Sequence, residues 1–272
     1  MQLQDRVAVI TGGASGIGLA MAERFAGEGM RLVLADVEES ALAAAEERLR
    51  SSGAEVLGVV TDVADAAAVE TLAETAYDRF GAVHVLCNNA GVVTTGPSWE
   101  QSLDDWQWVL GVDLWGVIHG VRAFVPRMID GGEPGHIVNT ASIAGLLPFP
   151  NIAPYDVAKT GVVALSESLH GELGAAGVPI GVSVLCPGVV PTRISESGRN
   201  RPGATAPAPL DIPTQRTPPP TALSASQIAD QVHDAIIGGR FWVVTHDGYR
   251  EWITRRADAI LGGTDVPVAP TL

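Results

Sequence analysis

The chain predicts an α/β fold with a doubly wound parallel sheet, and three observations support this. Short β-branched runs alternate with longer stretches of helical periodicity from the N-terminus to about residue 190, the pattern of repeated βαβ units. A glycine-rich turn, Thr11-Gly12-Gly13-Ala14-Ser15-Gly16-Ile17-Gly18, follows the first apolar run. The 272 residues are 46% hydrophobic, enough for one large core, and an α/β sheet of this size is routinely a single domain. Residues 1–261 are therefore read as one catalytic domain and 262–272 as a C-terminal tail without periodicity.

Seven strands are expected, at Arg6–Thr11, Arg31–Asp36, Glu55–Thr61, Val83–Asn88, His136–Ala141, Ile180–Cys186 and Phe241–Thr245. Helices are expected at Gly16–Glu28, Glu38–Ser52, Ala66–Phe80, Leu103–Met128 and Pro154–Ala175, where apolar residues recur at three-and-four spacing and Gly or Pro falls near an end. Right-handed crossovers then place helices on both faces, with ligands outside the carboxyl ends of the strands. Residues 191–225 break the alternation. Seven prolines fall between Pro202 and Pro220, so this stretch is read as an irregular loop, positioned to act as a substrate lid.

Composition excludes several classes of function. A formal net charge of −14 argues against nucleic acid or an anionic membrane as partner, since either requires a basic face. Cys87 and Cys186 are embedded in apolar runs, where a free cysteine acts as a small buried hydrophobe, and a reduced compartment is the simplest inference. Neither a basic n-region nor an 18-residue apolar stretch is found, so the expectation is a soluble cytoplasmic protein. No metal site is expected.

Chemistry-bearing residues occur in a set order. A strand, a glycine-rich turn and a helix N-terminus hold a pyrophosphate, because the glycines allow close backbone approach and unpaired N–H groups favour an anion. Gly12, Gly16 and Gly18 supply the glycines. Asp36 ends the second strand, where a carboxylate accepts from adenosine ribose hydroxyls and repels a 2′-phosphate. None of Gly13, Ala14, Ser15 and Val37 offers a basic side chain there, which predicts NAD over NADP. Asp62-Val63 follows the third strand as a candidate for the adenine edge and face, or simply as a helix cap. Asn88-Asn89-Ala90-Gly91 closes the fourth strand with residues suited to a tight backbone passage. Ser142 precedes Tyr155 by thirteen residues, and Tyr155 and Lys159 lie four apart. That spacing puts a phenol and an ammonium on one helix face, where the ammonium, together with the positive nicotinamide of NAD⁺, favours phenolate and lowers a pKa that is otherwise near 10. Ser142 is positioned to donate to a developing alkoxide.

In this order, TGGASGIG, Asp36, Asp62, NNAG, Ser142, Tyr155-x-x-x-Lys159 and Pro187-Gly188 resemble the short-chain dehydrogenase/reductase family, over residues 5 to about 192 and a helix–strand–helix finish. The resemblance implies a Rossmann-type seven-stranded sheet, a homotetramer or homodimer, and hydride transfer between nicotinamide and a carbinol carbon. It implies Tyr155 as acid/base, Ser142 on the substrate oxygen and Lys159 on the nicotinamide ribose. It places Gly12, Ser15, Gly16, Ile17 and Gly18 at the pyrophosphate, Asp36, Asp62 and Val63 at the adenosine, and Asn89, Ala90 and Gly91 along the dinucleotide. Pro187, Gly188, Val190 and Thr192 then pass beside the nicotinamide. One position departs from the pattern: where relatives carry Asn in an N-x-x-G motif, this chain has Asp113-Leu114-Trp115-Gly116. Three outcomes are open for Asp113: a working proton relay with a shifted pH optimum, a protonated Asp113, or impaired catalysis.

Between Ser142 and Tyr155 the chain is apolar. With Val92, Val93 and Trp99 it suggests a small-molecule secondary alcohol or ketone on an aromatic, alicyclic or lipid-like body. Arg193 and Arg199 are read as solvated loop charges in preference to anion-binding groups. The alternatives are a ketone or 3-oxoacyl reductase and, in a different class, an NAD-binding regulatory protein whose chemistry is impaired.

Overall fold

A computed structural model describes residues 1–203 and 221–266. Seven strands, β1 (Val7–Thr11), β2 (Arg31–Asp36), β3 (Val56–Val60), β4 (Val85–Asn88), β5 (Gly135–Thr140), β6 (Ile180–Cys186) and β7 (Trp242–Val244), form one sheet in the order β3-β2-β1-β4-β5-β6-β7. Every pairing is parallel. The strands lie between two helical layers, so they read as unbroken apolar runs. Along β1, Ala8 and Ile10 join one cluster with Met21, Phe25, Leu42 and Val232, while Val7 and Val9 face Leu72, Phe124, Leu169 and Leu173 on the other side. Period-two alternation thus divides a continuous apolar strand between two cores.

The helices are α1 (Gly16–Gly27), α2 (Glu39–Ser51), α3 (Ala66–Phe80), α4 (Leu103–Leu110), α5 (Gly116–Gly131), α6 (Ala153–Ala176), α7 (Ala225–Gly238) and α8 (Arg250–Gly262). Local chemistry explains their ends. Asp65 caps α3 by accepting from the Ala67 N–H at 2.9 Å, Ser102 and Asp105 form a reciprocal capping box on α4, and α6 opens with Pro154 and closes at left-handed Gly177.

Two expectations change. The helix expected over Leu103–Met128 is divided into α4 and α5 by a single π-turn at Gly111–Trp115 and runs on to Gly131. By composition and length the run Leu103–Gly131 would pass for a membrane span, but it is packed against α3 and α6 as a core helix. The stretch 191–225 is not wholly irregular: Ile194–Asn200 is 3₁₀-helical and α7 begins at Ala225. Its proline-rich centre, 204–220, lies outside the described residues, as do 267–272 of the tail.

The chain reverses direction between β1 and β4. A crevice opens at such a switch point, beyond the carboxyl ends of the strands. Helix α5 can reach it because it carries glycines: a Cβ on Gly116 would meet Val63 Cγ2 at 2.8 Å, and one on Gly120 would meet Asn88 Oδ1 at 2.0 Å.

Candidate active site

A cleft of about 1040 Å³ lies over that crevice. Gly12, Ser15, Gly16, Ile17, Asp36, Asp62, Val63, Asn89, Ala90 and Gly91 line it, together with Ser142, Tyr155, Lys159, Pro187, Gly188, Val190 and Thr192. Two of the expected site residues stand behind the wall. Gly18 makes room for the turn itself, since a Cβ there would lie 2.1 Å from the Gly12 carbonyl oxygen. Asp113 is fully buried beneath Gly91, whose own Cβ would approach its Oδ2 at 3.2 Å.

At the nucleotide end, Gly12 and Gly16 have φ of +64° and +54°, a region glycine enters without penalty. A side chain at Gly12 would strike Ala90 Cα at 2.9 Å. Thr11 joins the ends of β1 and β4: its Oγ1 accepts from the Asn89 and Ala90 N–H groups at 2.9 and 3.1 Å, and Asn89 Nδ2 donates to its carbonyl at 3.0 Å. Asp36 accepts from the Ala14 N–H at 3.0 Å and the Glu38 N–H at 3.1 Å. Burial holds its carboxyl above the ordinary range despite these donors. Asp62 accepts from the Ala64 N–H at 2.9 Å, fixing the turn that presents buried Val63. This backbone cradle, opened by Gly12 and Gly16 and ending on a carboxylate, fits a dinucleotide.

At the other end, the 3₁₀ turn Ile143–Gly145 begins at Ser142, whose Oγ accepts from the Ala144 N–H at 3.1 Å. That bond directs the hydroxyl proton away from the turn, toward the cleft that Ser142 and Tyr155 both line. Helix α6 carries Tyr155 and Lys159 on one face, with Lys159 Nζ 5.4 Å from the Tyr155 ring centre. The Lys159 ammonium is 2% exposed, donates to the Thr140 carbonyl at 3.0 Å and pairs with Asp113 Oδ2 at 3.1 Å. Asp113 Oδ1 accepts from the Val92 N–H at 2.8 Å. The Oδ2 contact is an ion pair rather than a directed hydrogen bond.

Burial opposes charge on Lys159, but the Asp113 carboxylate and the Tyr155 phenol outweigh it, so Lys159 is held above its ordinary value. Burial likewise pushes Asp113 up, against the pull of the ammonium. Lys159 pulls the Tyr155 phenol down, as expected, but does not prevail. Burial raises the phenol more than Lys159 lowers it, and Asp113 adds to the rise.

The substrate side is apolar as expected, with Val92, Val93, Ile143, Phe149 and Ile152 on the cleft wall. Trp99 is not among them: it is 83% exposed, away from the cleft. Leu147 instead packs in the small core beneath the wall. Cys87 and Cys186 are free and fully buried.

Several residues in and behind the cleft wall were not anticipated. Trp108 and Arg201 reach it from α4 and from the end of the 3₁₀ segment, joined by an Arg201–Asp105 ion pair. Ser197 accepts from the Val93 N–H at 3.1 Å, docking that segment on the NNAG loop. His246 accepts from the Gly188 N–H at 3.1 Å through Nδ1, which puts its proton on Nε2, 3.1 Å from the Val189 carbonyl. It thereby pins the Pro187–Val189 backbone. Arg193 is an exposed loop charge paired with Glu196 at 2.9 Å, as expected, but Arg199 is not solvated: it is part-buried against Glu38, which also lines the cleft.

A doubly wound parallel sheet, a glycine cradle at its switch point and a Ser-Tyr-Lys set at the far end of the same cleft define a nucleotide-binding oxidoreductase. The short chain dehydrogenase family matches over residues 6–202, and the chain belongs to it. Over 248 residues it is 41% identical to 1-deoxy-11-beta-hydroxypentalenate dehydrogenase of Streptomyces avermitilis, covering 90% of this chain and 86% of that one. A dehydrogenase/reductase of CLA biosynthesis from Lactiplantibacillus plantarum is 33% identical, with 97% of each covered. Among solved structures, a short chain dehydrogenase/reductase from Burkholderia phymatum in complex with NAD superposes with a TM-score of 0.95 at 43% identity over 100% of both chains.

Proposed function

We propose that the protein is an NAD-dependent dehydrogenase or ketone reductase acting on a secondary alcohol or ketone carried by a bulky, largely apolar body. The observation that carries this reading is the convergence of Ser142, Tyr155 and buried Lys159 on one cleft whose other end is the glycine cradle and Asp36. Bound NAD would supply the hydride acceptor. Gly12, Ser15, Gly16, Ile17, Asp36, Asp62, Val63, Asn89, Ala90, Gly91, Pro187, Gly188, Val190 and Thr192 would hold it, with Gly18 behind the turn.

In alcohol oxidation Tyr155 takes the hydroxyl proton and in reduction returns it. Ser142 donates to the substrate oxygen, a preorganised term worth on the order of 3 kcal/mol. Lys159 would hold the ribose of the bound nucleotide, and it keeps a positive charge beside the phenol. Asp113 fixes that charge, at the cost of a less acidic Tyr155. The Streptomyces relative is named for a hydroxylated compound, in keeping with an alcohol as substrate.

The catalytic unit is proposed to be a homodimer or homotetramer. Trp115 and Val157, 52% and 49% exposed on packed helical segments, leave apolar surface for a second copy. The test of function is a panel of alicyclic and aromatic secondary alcohols with NAD, and the matching ketones with NADH. Turnover of at least one pair supports the reading, and NADH binding without turnover of any would favour the regulatory alternative.

A further inference from the structure

The adenosine end of the cleft contains two guanidinium groups that the local sequence around Asp36 does not announce. Arg193 and Arg199 line the same cleft as Asp36, Val37 and Glu38. Arg199 is forked onto Glu38, whereas Arg193 donates from Nε to Glu196 at 2.9 Å and stands only at the edge of Glu38's reach. Arg199 donates from Nε to Glu38 Oε2 at 3.0 Å and from Nη2 to Oε1, Asn200 Nδ2 adds a bond to Oε1 at 3.2 Å, and Arg193 Nη1 stands 3.8 Å from Oε2. Glu38 itself is placed by its neighbour, since its N–H donates to Asp36 Oδ1 at 3.1 Å. Arg193 lies within electrostatic reach of Asp36 as well.

We infer that Glu38 is a second determinant of cofactor choice, acting by occupying Arg199, which would otherwise receive a 2′-phosphate beside Asp36. The inference rests on the proposal that this cleft holds NAD. Asp36 excludes the phosphate by direct repulsion. Glu38 excludes it by denying it a partner: the Nε/Nη2 edge of Arg199 is forked onto the carboxylate and Nη1 donates to the Arg193 carbonyl at 3.2 Å, so its charge is neutralised and most of its donors are committed. The two carboxylates are two residues apart but do different work, so removing one leaves the other in force. Selectivity here is therefore partly a matter of withheld attraction.

The test is nucleotide binding, read by fluorescence titration of NADH and NADPH into wild type, Asp36→Ala, Asp36→Ala/Glu38→Gln and Asp36→Ala/Glu38→Gln/Arg199→Met. Gln keeps the size of Glu38 and removes its charge. Adding Glu38→Gln to Asp36→Ala should tighten NADPH about tenfold, the scale of one charge-assisted hydrogen bond, with NADH changing far less. Adding Arg199→Met should cancel most of that gain. The inference is overturned if Glu38→Gln leaves NADPH affinity unchanged, if it loosens both nucleotides equally because the pairing only holds the 194–200 segment in place, or if the NADPH gain persists without Arg199. A wild type that binds NADH and NADPH equally would overturn the underlying cofactor reading instead.

Discussion

Asp113 and Lys159 form an ion pair sealed from solvent, with Oδ2 and Nζ 3.1 Å apart and exposures of 0% and 2%. The carboxylate reaches the lysine because a π-turn at Gly111–Trp115 rotates it inward beneath Gly91, and such turns are frequent at functional sites. Of the three outcomes the sequence leaves open, the buried pair favours a working site with a shifted pH dependence, since the ammonium counters part of the desolvation that pushes the Asp113 carboxyl up.

Asp113→Asn tests that reading. Asp113 raises the Tyr155 phenol through like charge with the phenolate, so its removal makes Tyr155 more acidic. The ascending limb of kcat/KM for alcohol oxidation should move to lower pH. A limb that stays in place would mean that Asp113 is already protonated, and a wild type with no activity that Asn restores would point to impaired catalysis.

Cofactor preference rests first on Asp36. The wild type should use NAD(H) far better than NADP(H), and Asp36→Ala combined with Val37→Arg should move the preference toward the phosphate form. Steady-state kinetics with both cofactors decides it, and equal use by the wild type would contradict the account.

Gly18→Ala probes the cradle from behind. Its Cβ would sit 2.1 Å from the Gly12 carbonyl oxygen and 2.7 Å from Asn89 Nδ2, so the turn must shift. The expected loss is on the order of 3 kcal/mol, or about 6–12 °C in Tm, with weakened NADH binding. A Tm and affinity matching wild type would show that the turn accommodates a methyl group.

Asp156 should make stability fall as pH rises. Burial lifts its carboxyl from 3.8 to about 7, only partly offset by the Phe149 N–H that donates to it at 3.1 Å. The folded state therefore holds a proton that the unfolded state releases, so the contribution is full below 3.8 and lost as pH passes through about 7. Asp156→Asn imitates the protonated form. It should raise Tm at about pH 8 and change little near about pH 4, and an equal gain at both would contradict this origin.

Much of the fold was legible because parallel βαβ units leave local traces. The VAVIT and RLVLAD runs, the glycine turn after β1 and the Tyr155–Lys159 spacing are each contained in a few residues. What was not legible depends on long-range closure or on a fine choice of helix geometry. The π-turn that carries Asp113 has the same apolar periodicity as the helices on either side. Glu38 and Arg199 are 161 residues apart, and His246 reaches the Pro187–Val189 loop only because β7 pairs beside β6. Trp99 stands outside the cleft because an aromatic near the NNAG turn in sequence need not be near it in space.

The central claim is that the Tyr155 hydroxyl carries the substrate proton, and Tyr155→Phe tests it most directly, because the ring and its packing remain while the titrating group is lost. On any secondary alcohol that the wild type oxidises, turnover should fall roughly 10²–10⁴-fold, as expected for a general acid/base, while NADH binding measured by fluorescence titration stays close to wild type. Near-normal turnover in that variant would contradict the account, because the proton would then be travelling by another route.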